Sequence, residues 1–324
     1  MKTYIIEGGQ GRHVFFSALL PKLAEKEKVN VISSYPDVFE NNPYVERSLS
    51  RNTPYMWEDL ILKKDTETIF SDPYFRADFI RGECHIIDAW CRELKIDYNE
   101  NLKPQLYLPN FLINDAKRFK KENGNFIIVQ FTSGQSIYNA KNPELFKYEG
   151  FERNISQENA QWIIGFLKEK YPSLTILNMS FPNEGMDLQG TIRIESPTLF
   201  YGALLQQCET FIGINSCLTH MAASTDKKGV VLWGGTSHKS WGYEKDANLY
   251  GKCLKNNIAC SRPYLRELGD FIGSGSKWKC PNPTCMNLDA EIVFNEVVKL
   301  ISPDAKKIIM EKKKIVETKQ KCRC

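Results

Sequence analysis

No apolar stretch in this chain approaches the length of a membrane span. The longest, residues 14–20 (VFFSALL), falls well short of the ~18 residues a spanning helix needs. The first residues, MKTYIIEGG, lack the basic flank, long apolar region and small-residue cleavage site of a secretory signal. There is no repeat of fixed period, and no low-complexity segment precedes the C-terminal tail. GxGxxG is missing too: residues 8–13 read GGQGRH, so the dinucleotide fingerprint is not met. These absences argue against membrane, secreted, solenoid and standard NAD-binding classes. A soluble, cytoplasmic protein is expected.

What is present is ordinary globular material, 42% hydrophobic and 25% charged, which excludes a disordered, collagenous or disulfide-only chain. Its 324 residues suit two domains and are enough to bury a core of normal size. The net charge of +4 is unevenly placed. Residues 305–324 hold eight Lys/Arg against two Glu, so this tail carries +6 and leaves −2 for the rest. The tail reads as a solvated helix end, or as a handle for nucleic acid or an anionic surface. Ten cysteines in a chain without an export signal point to free thiols or a metal site rather than disulfides.

The patterning is strand, glycine turn, helix, strand. Residues 2–7 (KTYIIE) form an apolar strand, 8–11 a glycine turn, 12–27 a helix and 29–33 (VNVIS) a second strand. The prolines at 36, 43 and 54 obscure residues 35–70, where 59–63 (DLILK) is the one apolar stretch. A long helix is predicted over 73–94 and a last strand of this half over 106–108. The polar segment 114–124, ending in Asn-Gly, marks the domain boundary. A second series follows: strands at 125–131 (NFIIVQF), 174–178, 192–195, 211–214 and 230–233, with helices at 156–170, after Ser196-Pro197, and near 218–224. Trp162, Ile163, Phe166 and Leu167 are predicted to share one side of the 156–170 helix. Strands alternating with helices imply parallel sheets.

Ligands of open parallel sheets bind beyond the carboxyl ends of the strands. After the first strand, Gly8, Gly9 and Gly11 let the main chain turn tightly and approach a ligand. His13 then falls in the first helical turn, facing the cleft, and an imidazole there can accept a proton at neutral pH; the alternative is a polar residue at a helix start. After the 125–131 strand come Thr132, Ser133, Gly134, Gln135 and Ser136, with Lys141 beyond. After 211–214 come Asn215, Ser216, Cys217 and Leu218, opening a helix that carries His220. After 230–233 come Gly234, Gly235, Thr236 and Ser237, with Lys239 close by. Each loop alone is an unremarkable turn. Together, three glycine- and hydroxyl-rich loops on one sheet suit phosphate oxygens, with helix-start amides and positive dipole ends adding to the attraction.

Residues 211–223 (FIGINSCLTHMAA) and 230–237 (VVLWGGTS) resemble the signature of glycosyltransferase family nine, the heptosyltransferase type. Thr132–Ser136 resembles its phosphate loop, Glu184 its ribose-holding acid, and residues 8–23 its N-terminal glycine loop and helix. The resemblance implies an α/β fold of two Rossmann-like domains facing across a cleft, the GT-B arrangement. It divides the chain into an acceptor-side domain, 1–115, a donor-side domain, 125–300, and a basic tail, 301–324. It implies inverting transfer, without metal or catalytic cofactor, from a nucleotide-diphosphate sugar such as ADP-heptose to an acceptor hydroxyl. Donor contacts would come from Thr132, Ser133, Gly134, Ser136, Lys141, Glu184, Asn215, Ser216, Cys217, Leu218, His220, Gly234, Thr236 and Lys239.

The sequence departs from the family at four places. Asn215 stands where Asp is usual, Cys217 where Gly is usual, and Gly235 where Pro is usual. The acid that normally follows the N-terminal glycine is absent, and Arg12 and His13 stand there instead. His13 is therefore the candidate base, with Arg12, Lys141, Lys239 and the helix start at Ser216 facing the departing diphosphate. The expected acceptor is a bacterial glycan; a protein or a hydroxymethylated base of viral DNA is the alternative. A dinucleotide oxidoreductase and a non-catalytic nucleotide-sugar-binding module are the competing classes.

Cys253, Cys260, Cys280 and Cys285 place four thiols within 33 residues, able to hold structural zinc or iron although the spacing is wider than the usual CxxC knuckles. Unliganded cysteines are the other reading.

Overall fold

A computed structural model describes residues 1–63, 65–133, 153–179, 186–251 and 285–301. In chain order its main elements are β1 (Lys2–Ile6), α1 (Gln10–Phe16), β2 (Val29–Ser33), β3 (Val45–Leu49), β4 (Glu67–Phe70), α2 (Ile86–Leu94) and α3 (Asn110–Asn123). Then come β5 (Phe126–Val129), α4 (Gln157–Lys170), β6 (Thr175–Met179), β7 (Ile192–Ile194), α5 (Thr198–Gln207), β8 (Phe211–Ile214), α6 (Cys217–Ser224), β9 (Val230–Trp233), β10 (Ala247–Tyr250) and α7 (Ala290–Leu300).

The strands form two sheets, ordered β3-β2-β1-β4 and β10-β9-β8-β5-β6-β7, and every pairing is parallel. This is the expected α/β class. In the second sheet the chain walks outward from β5 through β6 to β7, then returns to the other side of β5 for β8, β9 and β10. That is the doubly wound order, and its direction reverses between β5 and β8. The first sheet reverses between β1 and β4.

Burial on both faces explains the unbroken apolar runs. In β5, Phe126 and Ile128 join one core cluster, while Ile127 and Val129 join the cluster on the opposite face. β9 does the same, with Val231 and Trp233 on one side and Val230 and Leu232 on the other. The first of these clusters runs continuously from the first sheet into the second, through Phe15, Phe16, Leu218, Trp233 and Trp241.

Local chemistry corrects several predicted elements. The helix after β1 leaves α geometry at Ser17–Leu19, where Pro21 has no amide to give Ser17, and it ends at Leu23 rather than at 27. The long helix predicted over 73–94 is interrupted, because Gly82 takes a positive φ of 73° before α2 starts under a His85 cap. Residues 106–108 are not a strand; Leu106 and Leu108 lie against Gly202 of α5, where a Cβ would sit 3.0 Å from Leu108. α4 begins as predicted, with the Ser156 hydroxyl accepting from the Asn159 amide, and buries Ile163 and Leu167. Trp162 is 59% exposed and so does not share their face. Residues 114–124 belong to α3 and its Gly124 cap, and α3 packs on α5.

No described helix is long and apolar enough to cross a membrane.

Candidate active site

The loops singled out on the second sheet follow β5, β8 and β9, which are neighbours. Their carboxyl ends therefore stand side by side, with the reversal between β5 and β8 at the centre. Thr132 and Ser133 continue from β5, Asn215 and Ser216 from β8, and Gly234 and Thr236 from β9. Gly134, Ser136, Lys141 and Glu184 lie outside the described residues, as do Cys253, Cys260, Cys280 and the tail from 302.

Side chains tie the first two loops together. Gln130, at the end of β5, is 1% exposed. Its Oε1 accepts from the Leu218 amide at 3.2 Å, and its Nε2 donates to the Cys217 thiol at 3.7 Å. One amide of the α6 start is thus held by protein rather than left for an anion. Arg153 donates to the Asn215 carbonyl at 3.5 Å, and the Ser133 amide donates to Asn154 Oδ1 at 2.8 Å. Thr219 Oγ1 closes the turn by donating to the Ile214 carbonyl at 2.8 Å. In the third loop, the Thr236 hydroxyl is buried and has no hydrogen-bond partner among the described residues. Lys239 is exposed at the start of the short helix His238–Trp241.

The glycine turn of the first sheet meets these loops. A Cβ at Gly11 would lie 3.5 Å from Cys217 Cα and 3.1 Å from the His220 ring, so α1 rests on the first turns of α6. Gln10 bonds the Thr198 hydroxyl, and Asp37 Oδ2 accepts the Thr198 amide at 3.2 Å, so the first-sheet loops also reach the start of α5. Beside the glycines, Arg12 donates to Asp72 at 3.2 Å and lies 3.8 Å over the Tyr74 ring. Gly8 has a φ of 94° and leaves room for that guanidinium, since a Cβ there would be 3.1 Å from Arg12 Nε.

His13 does not face the cleft. It is fully buried, with Nδ1 3.0 Å from the Gly9 carbonyl and Nε2 3.1 Å from the Ile6 carbonyl. Burial drives its pKa down to about 4; the two carbonyls favour the charged ring, but burial outweighs them. With a carbonyl at each nitrogen, the ring offers no lone pair to an acceptor hydroxyl in this arrangement. His220 is likewise enclosed: Nδ1 lies 3.1 Å from the Tyr243 hydroxyl and the ring meets Phe15 edge-on. Burial first, then the neighbouring His85, lowers its pKa to about 3. Cys217 is buried, and desolvation pushes its thiol up to about 11, away from nucleophile chemistry.

Sequence reasoning passed over Gln130, Arg153, Asp37, Thr198 and Tyr243. Gln130 had a readable signal, being one polar residue closing an apolar strand. The others come together only through the fold.

Residues 158–264 match the model of glycosyltransferase family 9 (heptosyltransferase). That match covers about a third of the chain. Compared by sequence with curated proteins, it matches none. Among solved structures it is similar to the family 9 glycosyl transferase of Veillonella parvula DSM 2008, at 12% identity and a TM-score of 0.62, covering 92% of this chain and 96% of that one. It is also similar to the E. coli ADP-heptose LPS heptosyltransferase II, at 10% identity and 0.58, covering 93% and 98%. A third is the iron-containing dodecameric glycosyltransferase TibC of enterotoxigenic E. coli H10407, at 13% and 0.56, covering 96% and 75%. At these identities the structures speak to the fold, which is that of the GT-B heptosyltransferases. The family 9 match adds support for a glycosyltransferase that uses a nucleotide sugar. Among the described residues no group of three His, Cys, Asp or Glu side chains could hold a metal, and Cys285 is buried.

Proposed function

We propose that this chain is an inverting, metal-independent glycosyltransferase that moves a sugar from a nucleoside diphosphate donor to an acceptor hydroxyl. The donor sits on the second sheet and the acceptor on the first, with α3 counted on the donor side because it packs on α5. One observation carries the reading. The loops after β5, β8 and β9 stand together at a doubly wound reversal, and the glycine turn after β1 is packed directly against the helix that leaves it. Thr132, Ser133, Ser216 and Thr236 supply hydroxyls for the diphosphate, and Lys239 adds positive charge. TibC is described in complex with ADP-D-β-D-heptose, which makes ADP-linked sugars the first donors to test. A bacterial glycan is the acceptor class we favour.

The acceptor oxygen attacks the anomeric carbon from the face opposite the diphosphate. The bond to the leaving phosphate oxygen breaks as the new bond forms, which inverts the centre. The ring passes through a cationic state like that of glycoside hydrolysis.

A thermal-shift screen against ADP-, UDP-, GDP- and dTDP-linked sugars tests donor binding; a true donor at 100 times its Kd stabilises by ~2.7 kcal/mol. Nucleoside diphosphate release that requires an acceptor tests transfer. Binding without release in the presence of free sugars and glycan fragments would make the chain a binding module.

A further inference from the structure

Groups that follow β5, β8 and β9 are closed to solvent. Ser133, Asn215 and Thr236 are 3%, 6% and 7% exposed. The main chain at the start of α6 is closed as well. The Ser216 amide donates to the Ile214 carbonyl at 2.7 Å, the Leu218 amide to Gln130 at 3.2 Å and the Thr219 amide to the Ser216 carbonyl at 3.2 Å. The Cys217 amide is left, and α1 lies over it: a Cβ on Gly11 would stand 3.7 Å from that nitrogen. A phosphate oxygen bound there would sit about 2.9 Å from the nitrogen, with the phosphorus beyond it. The two helices touch instead, since the same Cβ would lie 3.5 Å from Cys217 Cα.

The cover belongs to the first half of the chain, and a polar contact beside it holds it down. Gln10, directly before Gly11, bonds the Thr198 hydroxyl, and Asp37 Oδ2 accepts the Thr198 amide at 3.2 Å. Thr198 opens α5 after Pro197, which brings no side-chain cap of its own. Asp37, on the short turn Pro36–Phe39 after β2, therefore caps a helix of the other half. Lifting α1 from α6 draws Gln10 off Thr198. The open form has lost this cap already, so a substitution that removes it weakens the closed form alone.

We propose that this arrangement is autoinhibitory: the glycine turn, latched onto α5 by Gln10 and Asp37, covers the donor loops, and a nucleoside diphosphate sugar binds only when α1 lifts from α6. The inference rests on the donor placement proposed above. The observed donor affinity is then that of the open form reduced by the fraction of molecules that are open. Weakening the latch without touching the donor loops raises that fraction and tightens binding.

The test titrates the wild-type chain, Asp37→Ala, Asp37→Asn and Gly11→Ala with ADP-, UDP-, GDP- and dTDP-linked sugars, following the thermal shift. Asn retains a capping oxygen; alanine does not. Gly11→Ala pries at the contact itself, with its Cβ 3.1 Å from the His220 ring. The expected result is a lower midpoint without donor but a donor Kd about 2- to 30-fold tighter in Asp37→Ala, the range a helix cap is worth. Gly11→Ala should move both quantities in the same directions, and carries the test by itself if Asp37→Ala does not fold. Asp37→Asn should stay within about twofold of wild type. Lower midpoints with unchanged or weaker donor binding overturn the proposal and leave the contacts purely structural. Hydrogen exchange gives a second readout: donor should speed exchange at residues 198–201 of the wild-type chain as the cap is lost, and slower exchange there overturns the latch. If no variant and no wild-type sample shifts with any of the four donors, the donor placement itself fails and the latch loses its role with it.

Discussion

His13→Ala distinguishes a brace from a base. The ring is fully enclosed, lies 5.1 Å edge-on from Tyr35 and 6.2 Å from Phe39, and meets two main-chain carbonyls. Truncation leaves a void of about the size produced by removing a large aliphatic side chain, for which costs run to ~2–5 kcal/mol. A neutral ring carries one N–H, so one carbonyl also loses its donor, at ~1–3 kcal/mol when it stays buried. With partial collapse of the site, the expected loss is about 3–5 kcal/mol. At about 2–4 °C per kcal/mol for a unit of 150–250 residues, the midpoint falls by at least ~6 °C. The assay is thermal unfolding followed by nucleoside diphosphate release below the lowered midpoint, scaled to folded protein. Activity per folded molecule should fall far less than the ~10²–10⁴-fold expected for removal of a base. An unchanged midpoint with lost turnover would refute the brace and restore His13 to the chemistry.

Acid should weaken the fold between about pH 6 and 4. Burial lowers His13 and His85 to about 4 and His220 to about 3, so each stabilises above pH 6.5 and loses that contribution as pH falls towards 4. Asp246, raised by burial to about 6, opposes one of the three. A net of two protons gives a slope of about 2.7 kcal/mol per pH unit between roughly pH 6 and 4, and melting midpoints that stay flat across that window would contradict it. Gly229→Ala should destabilise by at least ~1–3 kcal/mol in urea unfolding, because its Cβ would lie 2.3 Å from the buried Phe211 ring. Gly9→Ala, with φ −71° and open space, should stay within about 0.5 kcal/mol; equal effects at the two glycines would refute the packing account. Gln130→Leu keeps the volume but strands the Leu218 amide, so it should cost ~1–3 kcal/mol and weaken donor binding, both read by thermal shift.

The second sheet was largely legible because its strands are buried on both faces and short apolar runs mark them. The runs at 211–214 and 230–233 match β8 and β9 residue for residue. β3 and β4 were not legible. VERSL and ETIF mix charge with apolar residues, and their burial patterns show no run to detect, since each lies at a sheet edge. Residues 59–63 looked like a free apolar stretch; their neighbourhood is a π-helical turn, Trp57–Ile61, that inserts Leu60 beneath β2. At the candidate site, the loops after β5, β8 and β9 could be read from composition. The exclusion of His13 could not, because it depends on which way a ring turns once α1 docks. The first strand stops at Ile6, one residue short of the predicted end.

The departure from the family pattern at Cys217 is explained by its contact with Gly11. Position 217 is helical, so nothing in its backbone demands the glycine usual in the family. A side chain there still needs somewhere to go, because α1 lies directly above. The structure turns the thiol towards the Gln130 amide, 3.7 Å away, and keeps residue 11 free of a side chain, so the helices approach across Gly11. An alanine at 11 would press on the His220 ring at 3.1 Å, and that ring is fixed by Tyr243 and Phe15 rather than free to swing. The distance between the start of α1 and the start of α6 is therefore set by main chain against main chain. Such a contact depends on the main chain at position 217 and not on a glycine there. It does not tolerate bulk at Gly11.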